Sequence, residues 1–327
     1  MLQVDLEGIL LRLGVRSLKI QHKISIVAPV HNESENLELF YRRLVQTFEE
    51  ISYDFELIFV DDGSTDGSFG EIERIANLDS RVRGMKLSRN FGHQNAVTCG
   101  LHKATGSAVV IIDTDLQDPP ELIVELLQQW QAGYKNVYAL RKSRAGESVF
   151  KKLTANLYYK ILAFLSDYPI PVNTGDFRLI DKQLLENLVG MREENRFLRG
   201  MVAWLGFPTI AVPYDRQPRN KGKTSYTLRR MIKFATTGIF SFSAKPLKVS
   251  TYAGFIGILI SFLFSVYVFL QKLASPSASI PGYTTTIVVI CFFSSLQMIS
   301  IGLLGEYLQR IYIEIKRRPL YVIEIEI

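Results

Sequence analysis

The sequence predicts an α/β protein built on a wound, mainly parallel sheet, followed by a C-terminal pair of membrane helices. Three observations carry this expectation. Short β-rich runs alternate with helical patterns between about residues 24 and 180. The polar loops PVHNE, VDDGSTDG and IIDTDLQDPP follow strand candidates, and a wound sheet holds its ligands at the carboxyl ends of its strands. The apolar excess behind a mean hydropathy of +0.12 gathers at the C-terminus. With 327 residues, 47% of them hydrophobic and 21% charged, there is room for one domain of roughly 200 residues and something more apolar.

In chain order, residues 1–23 come first. Asp5, Glu7, Arg12, Arg16 and Lys19 interrupt this stretch, so it does not read as a signal peptide. Leu6, Ile9, Leu10 and Leu13 keep helical spacing, which predicts an amphipathic segment docked on the domain or lying on a membrane. With no export signal ahead, residues 1–248 are expected in the cytosol. The α/β domain is placed at 24–215, with strands at Ile24–Val30, Glu56–Asp62, Gly84–Leu87, Ala108–Asp113 and Asn136–Leu140. Helices are expected at Glu35–Glu50, Asp66–Asn77, Gln94–Lys103 and Pro120–Ala132.

Residues 216–248 hold nine Lys and Arg with no acid: Arg216, Arg219, Lys221, Lys223, Arg229, Arg230, Lys233, Lys245 and Lys248. Leu228, Met231, Ile232, Ala235 and Ile239 recur beside them at helical spacing, as in helices lying in a membrane interface among anionic headgroups. The chain's net charge of +6 thus has its cluster next to a membrane segment, and no nucleic-acid partner is expected.

Two spans follow within 249–305. Val249–Leu270 is uncharged, and its 22 residues at about 1.5 Å each cover a bilayer core of roughly 30 Å. A Ser/Pro/Gly break at Ala274–Gly282 leads to a second apolar run, Tyr283–Leu304. Lys245 and Lys248 precede the first span and Arg310, Lys316, Arg317 and Arg318 follow the second, while the turn side has only Lys272. Both ends are therefore expected on the cytoplasmic side of a multi-pass inner-membrane protein, with 306–327 as a cytosolic tail. Self-association through the membrane helices or the strand-like YVIEIEI, as a tetramer, is a further expectation. Cys99 and Cys291 lie far apart without CxxC or Cys/His spacing, which argues against a disulfide framework and a structural zinc.

Asp113 and Asp115 leave the apolar strand AVVII one residue apart, close enough to share a hard divalent cation, with Gln117 able to add a carbonyl oxygen. Asp118, before Pro119 and Pro120, suits a helix N-cap and is given no catalytic role. In VDDGSTDG, Gly63 permits a tight turn and Ser64 or Asp66 can cap the next helix. Capping does not account for Asp61 and Asp62, whose carboxylates can accept from a nucleobase N–H and ribose hydroxyls at a switch point. PVHNE can line the same crevice. Of His22, His31, His93 and His102, only His31 and His93 fall in crevice loops, and none has ligand spacing.

With these motifs in view, the chain resembles the inverting family 2 glycosyltransferases of GT-A type, in the polyprenyl-phosphate branch that includes dolichyl-phosphate mannose synthases and bacterial bactoprenol glucosyltransferases. The motifs that carry the likeness run nearly end to end: PVHNE, VDDGSTDGS, LSRNFGHQNA, DTDLQDPPE, RKSRAGE, GDFRL, RFLRGMVAWLGF, RQPRNKGKTSY, SFSAKPLK and GEYLQRIYIEIKRRPLY. The processive enzymes' QxxRW signature is absent, which argues for one sugar per acceptor.

The resemblance implies a UDP-sugar donor, a polyprenyl (undecaprenyl) phosphate acceptor and Mg²⁺ or Mn²⁺ on Asp113, Asp115 and Gln117. It places Pro29, Glu33, Asp61, Asp62, Asp113, Arg219 and Lys221 on the donor, the last two in a loop able to close over the diphosphate. Arg141, Arg144 and Lys151 or Lys152 fall where the family binds the lipid phosphate, which suits the planar donor fork of arginine. Asp115, Arg141, Arg144 and Asp176 are the expected catalytic residues, Asp176 standing where some relatives carry a base and equally able to orient an arginine or a sugar hydroxyl. Because a phosphate is already an anionic nucleophile near neutral pH, attack on the anomeric carbon needs little general-base help. Glucose is the default sugar, with mannose or aminoarabinose as alternatives. A sugar nucleotidyltransferase would carry a Gly/Arg/Lys-rich loop where APVHNE stands, and a catalytically silent scaffold would have lost motif carboxylates.

Overall fold

The computed structural model describes residues 22–142, 174–215, 245–274 and 282–327. The expected N-terminal amphipathic helix, Arg144, Lys151, Lys152, Arg219, Lys221 and most of the basic interfacial segment lie outside the described residues.

The described strands form one eight-stranded sheet of order β7-β5-β6-β4-β1-β2-β3-β8. β1 (Lys23–Val30) pairs in parallel with β2 (Asp54–Asp61) and β4 (Ala108–Ile111), and β2 with β3 (Val82–Leu87). These strands are apolar on both faces because helices cover both. Ile24, Ile26, Ala28 and Val30 pack in the cluster with α1 (Ser34–Glu49), α2 (Ser68–Leu78) and α4 (Ile123–Gln131). Val27, of opposite parity, packs in the cluster with α3 (His93–Lys103), α5 (Lys182–Gly190) and α6 (Leu198–Leu205).

The four expected helices are present with ends shifted by at most three residues, the last beginning at Ile123 after a 3₁₀ turn at Pro120–Leu122. β4 ends at Ile111, two residues before the expected Asp113, so both acids of the DTD motif stand in the loop beyond the strand. Three strands were not expected as part of this sheet. β6 (Thr174–Asp181) runs antiparallel between β4 and β5 (Asn136–Arg141), carrying Asp176 into the centre of the sheet. β7 (Thr209–Tyr214) pairs in parallel with β5 at the sheet edge, where Pro213 needs no ladder partner.

The third is β8 (Ile323–Glu326), antiparallel to β3. Expected as tail or association element, this segment is used along β3 by its own chain. Tyr321 Oη lies 2.6 Å from His102 Nδ1, Lys103 Nζ donates to Glu326 at 2.7 Å, and Lys86 Nζ stands 3.3 Å from Glu324.

Between β7 and β8 come α7 (Lys245–Ala274) and α8 (Tyr283–Lys316). Ser250 Oγ meets Ser300 Oγ at 2.6 Å, and a Cβ on Gly257 would stand 2.9 Å from the Phe293 ring, so the helices pack antiparallel through small residues. Ser250–Gln271 is long and apolar enough to cross a membrane, and almost none of it is buried against the rest of the chain.

Candidate active site

The carboxyl ends of β1, β2 and β4 gather the polar loops. Asn32, at φ 57°, accepts on Oδ1 from Thr65 N at 2.8 Å, and its own N–H donates to Ser64 Oγ at 3.0 Å. Ser64 is therefore spent on the PVHNE loop and caps no helix. Asp66 accepts from Ser68 N at 3.0 Å and from Ser34 N at 3.1 Å, tying the starts of α2 and α1 together. Glu33 precedes α1 and accepts from Asn36 Nδ2 three residues on. Pro29 is a buried residue of β1 whose carbonyl faces Thr114 Oγ1 at 3.5 Å. Its place is in the floor under the DTD loop rather than on the open crevice wall.

The two acids after β2 divide their tasks. Asp62 accepts from Phe91 N at 2.7 Å and Gly92 N at 3.0 Å, clamping the loop before α3, and burial pushes its carboxyl up against the pull of those bonds. Gly63 sits at φ 67°, where a Cβ would stand 2.6 Å from the Arg89 backbone, so that loop approaches too closely for any side chain. Asp61 accepts from Ser64 N on Oδ1, but its buried Oδ2 has no hydrogen-bond partner among the described residues. An orphaned buried acceptor is costly unless a ligand completes it.

Asp115 accepts from Gln117 N at 3.1 Å across Leu116, a buried residue held at φ 59°. Such a conformation for a bulky residue persists where its surroundings demand it, and here it turns the chain back so that Gln117 N reaches Asp115. Burial pushes Asp113 up to about 6; His93 opposes this, and Asp118, Asp176 and Asp115 add to it by like-charge crowding. Among the described residues no group of three His, Cys, Asp or Glu forms a cation cage. A pair of crowded carboxylates fits a cation whose other positions come from a substrate and water.

Opposite them lies an ion-pair cluster from β6, α3 and α6. Asp176 accepts on Oδ1 from Arg199 Nε at 2.9 Å, and on Oδ2 from Gln94 Nε2 at 2.9 Å and His93 Nε2 at 3.1 Å. Burial would raise it, but Arg199 and His93 hold it well below the usual carboxylate range. A general base works best with a pKa near the working pH, and the three donors around Asp176 suit it better to orient Arg199 and His93, one of the roles expected for it. Of the residues in this cluster, Gln94 and Arg199 were missed from sequence, although both stand in quoted motifs, and His93 was flagged without a role.

His93 also stands 3.8 Å from Asp113 Oδ1. Burial would lower its imidazole, yet Asp113 and Asp176 raise it to about 9, with crevice solvent screening the pair on its open side. A folded-state value above the ordinary ~6.5 stabilises fully below pH ~6.5, and the contribution is lost as pH rises to about 9. Without divalent cation, the melting temperature should fall across that window, and less so in His93→Gln; equal slopes would contradict the pairing.

Arg141 ends β5 with most of its side chain buried; Nε donates to Tyr214 Oη at 3.3 Å, and Nη2 lies 3.9 Å from Asp118. Asp118, expected as a helix cap, does not cap the 3₁₀ turn that follows it, which starts from Pro119 with no side-chain cap bond; Asp118 is instead buried against Tyr214.

The sequence profile of glycosyl transferase family 2 matches residues 25–189, half of the chain, and covers the strand-end loops just described. The chain belongs to glycosyl transferase family 2. It is a glycosyltransferase, and its wound sheet is the GT-A architecture of that family. A second profile, the GtrB C-terminal hairpin, matches residues 245–311 of this family 2 enzyme, a range that takes in α7 and most of α8.

Relatives align along nearly the whole chain. The uncharacterized glycosyltransferase YkcC of Bacillus subtilis (strain 168) is 44% identical over 300 residues, 92% of this chain and 93% of its own. The prophage bactoprenol glucosyl transferase homolog of Escherichia coli (strain K12) is 40% identical over 303 residues, 92% of this chain and 98% of its own. The bactoprenol glucosyl transferase of Shigella phage SfV is 40% identical over 305 residues, covering 93% and 99%. Among solved structures, a mannosyltransferase of Pyrobaculum calidifontis in complex with GDP-Man and Mn²⁺ is similar with a TM-score of 0.47 at 17% identity, covering 89% of this chain and 88% of its own.

Proposed function

We propose that this transferase moves one hexose, glucose by the names its relatives carry, from a UDP-sugar to a polyprenyl phosphate at the cytoplasmic leaflet, with inversion. Two features at the strand ends carry the reading: the buried Oδ2 of Asp61, which has no hydrogen-bond partner among the described residues, and the crowded Asp113–Asp115 pair. A nucleoside diphosphate-sugar fits both. Its base N–H suits Asp61, and its diphosphate is carried with a divalent cation that the Asp113–Asp115 pair suits. Asp61 takes the nucleobase role, because Asp62 is occupied by backbone.

Asp113 and Asp115, with Gln117, would hold Mg²⁺ or Mn²⁺, which when bound stabilises the negative charge on the departing UDP. Arg141 binds the acceptor phosphate and counters the repulsion between two anions, and the resemblance assigns Arg144 and Lys152 to the same phosphate and Arg219 and Lys221 to the donor diphosphate. No proton must leave the phosphate nucleophile, in keeping with an Asp176 already engaged by Arg199 and His93. The lipid acceptor is supported by the hairpin match, the apolar α7 and the relatives' names. UDP release from a panel of UDP-sugars, with and without defined polyprenyl phosphate, tests this; release that ignores the lipid would reject the acceptor.

Arg141→Ala is expected to raise the apparent KM for the lipid phosphate about tenfold to a hundredfold, the worth of one charge-assisted contact, and to spare that for the UDP-sugar. A rise in the donor KM alone would move Arg141 to the diphosphate.

Both spans, α7 and Tyr283–Leu304 of α8, are taken to cross the membrane with only the turn around Ala274–Gly282 outside. In a Cys99→Ser, Cys291→Ser background, Ser277→Cys should react with an impermeant thiol reagent in intact cells. Ser225→Cys should react only after lysis. The reverse pattern would invert the topology and separate the crevice from cytosolic nucleotide sugars.

A further inference from the structure

Asp118 leads to a feature that the proposed reaction does not yet use. It is 1% exposed, on the loop that carries Asp113 and Asp115, and accepts on Oδ1 from the hydroxyl of Tyr214. The same phenolic oxygen accepts from Arg141 Nε at 3.3 Å, and Asp118 Oδ2 stands 3.9 Å from Arg141 Nη2. Arg141 and Tyr214 are register partners at the ends of parallel strands β5 and β7. Gly175 on β6 completes the enclosure, since a Cβ there would stand 2.9 Å from Arg141 Nη2.

Three strands and one loop therefore converge on a single guanidinium. A long, flexible side chain on its own samples many rotamers, and a binding site loses affinity by ordering them. Here one edge of the fork faces Tyr214 and Asp118, and the phenol can serve both at once, donating its proton to the carboxylate and lending its lone pair to Nε–H.

We propose that Tyr214 and Asp118 are positioning residues for Arg141, fixing its guanidinium in the orientation that receives the acceptor phosphate. The inference rests on the assignment of Arg141 to that phosphate made above. Neither residue touches the substrate; each acts through the arginine. The surroundings accord with such a coupling: burial opposes the charge of Arg141, yet Tyr214 and Asp118 more than offset it.

The test uses the full-length protein, with initial rates measured against polyprenyl phosphate and against UDP-sugar. Tyr214→Phe, which removes only the hydroxyl, should raise the apparent KM for the lipid phosphate about threefold to tenfold and leave the donor KM within about twofold. In an Arg141→Ala background the same change should add less than about twofold, because the group it positions is gone. Asp118→Asn keeps an acceptor for the phenol and removes the charge; it should show the same dependence on Arg141 and serves where Tyr214→Phe folds poorly. Effects that multiply with Arg141→Ala, equal losses in both KM values, or a lowered melting temperature with unchanged kinetics would each overturn the proposal. If Arg141→Ala raises only the donor KM, the acceptor assignment fails, while the dependence of Tyr214→Phe on Arg141 still decides the positioning role from the donor KM.

Discussion

Asp115→Asn is expected to abolish transfer while leaving the protein folded. The substitution removes one negative charge from the crowded pair at the end of β4 but preserves the side-chain oxygen that accepts from Gln117 N at 3.1 Å. No core group is disturbed. Charge stabilisation by a bound cation is worth several kcal/mol in a transition state, so a loss of at least about a hundredfold in kcat/KM is expected. The measurement is rate against divalent-cation concentration, beside a melting curve. Near-normal turnover in the variant, or undiminished turnover of the parent in excess chelator, would remove the cation from the DTD motif.

Asp176→Asn should do its largest damage to stability. The carboxylate has three partners on two helices, Arg199, Gln94 and His93, and keeps 10% side-chain exposure. Removing one partner of a buried pair leaves the other charge uncompensated, at a cost of about 3 to 5 kcal/mol. Because the folded-state pKa is depressed, this stabilisation is full above the ordinary carboxylate value and is lost as pH falls through the folded value. The melting gap between parent and variant should therefore be widest near neutrality and close in acid. Intact stability with a collapsed kcat and a shifted pH–rate profile would instead assign Asp176 the general-base role.

Much of this architecture was legible in the sequence, for physical reasons. The parallel strands are apolar runs because both faces are covered, and the ligand loops stand out because they are polar where strands end. Strand β6 was hidden because Asp176 and Arg178 interrupt the apolar pattern of TGDFRLID, and only the fold pairs Asp176 with its cluster and buries Arg178. The DTD motif could be read as a pair of acids, but not the left-handed Leu116 that follows them. Asp118 was misread because an acid before two prolines has the pattern of a cap; its partner Tyr214 is 96 residues away, across the sheet. The unpaired oxygen that separates Asp61 from Asp62 likewise exists only once the Phe91–Gly92 backbone has folded against its neighbour.

The most direct test of the central claim is transfer of a radiolabelled hexose from its UDP conjugate by the purified, full-length protein, with undecaprenyl phosphate and Mg²⁺ present. The account predicts label in an organic-extractable lipid phosphate, in proportion to acceptor and lost on chelation. Label that remains with nucleotide across the common UDP-sugars, or that passes to water at the same rate without the lipid, would contradict it.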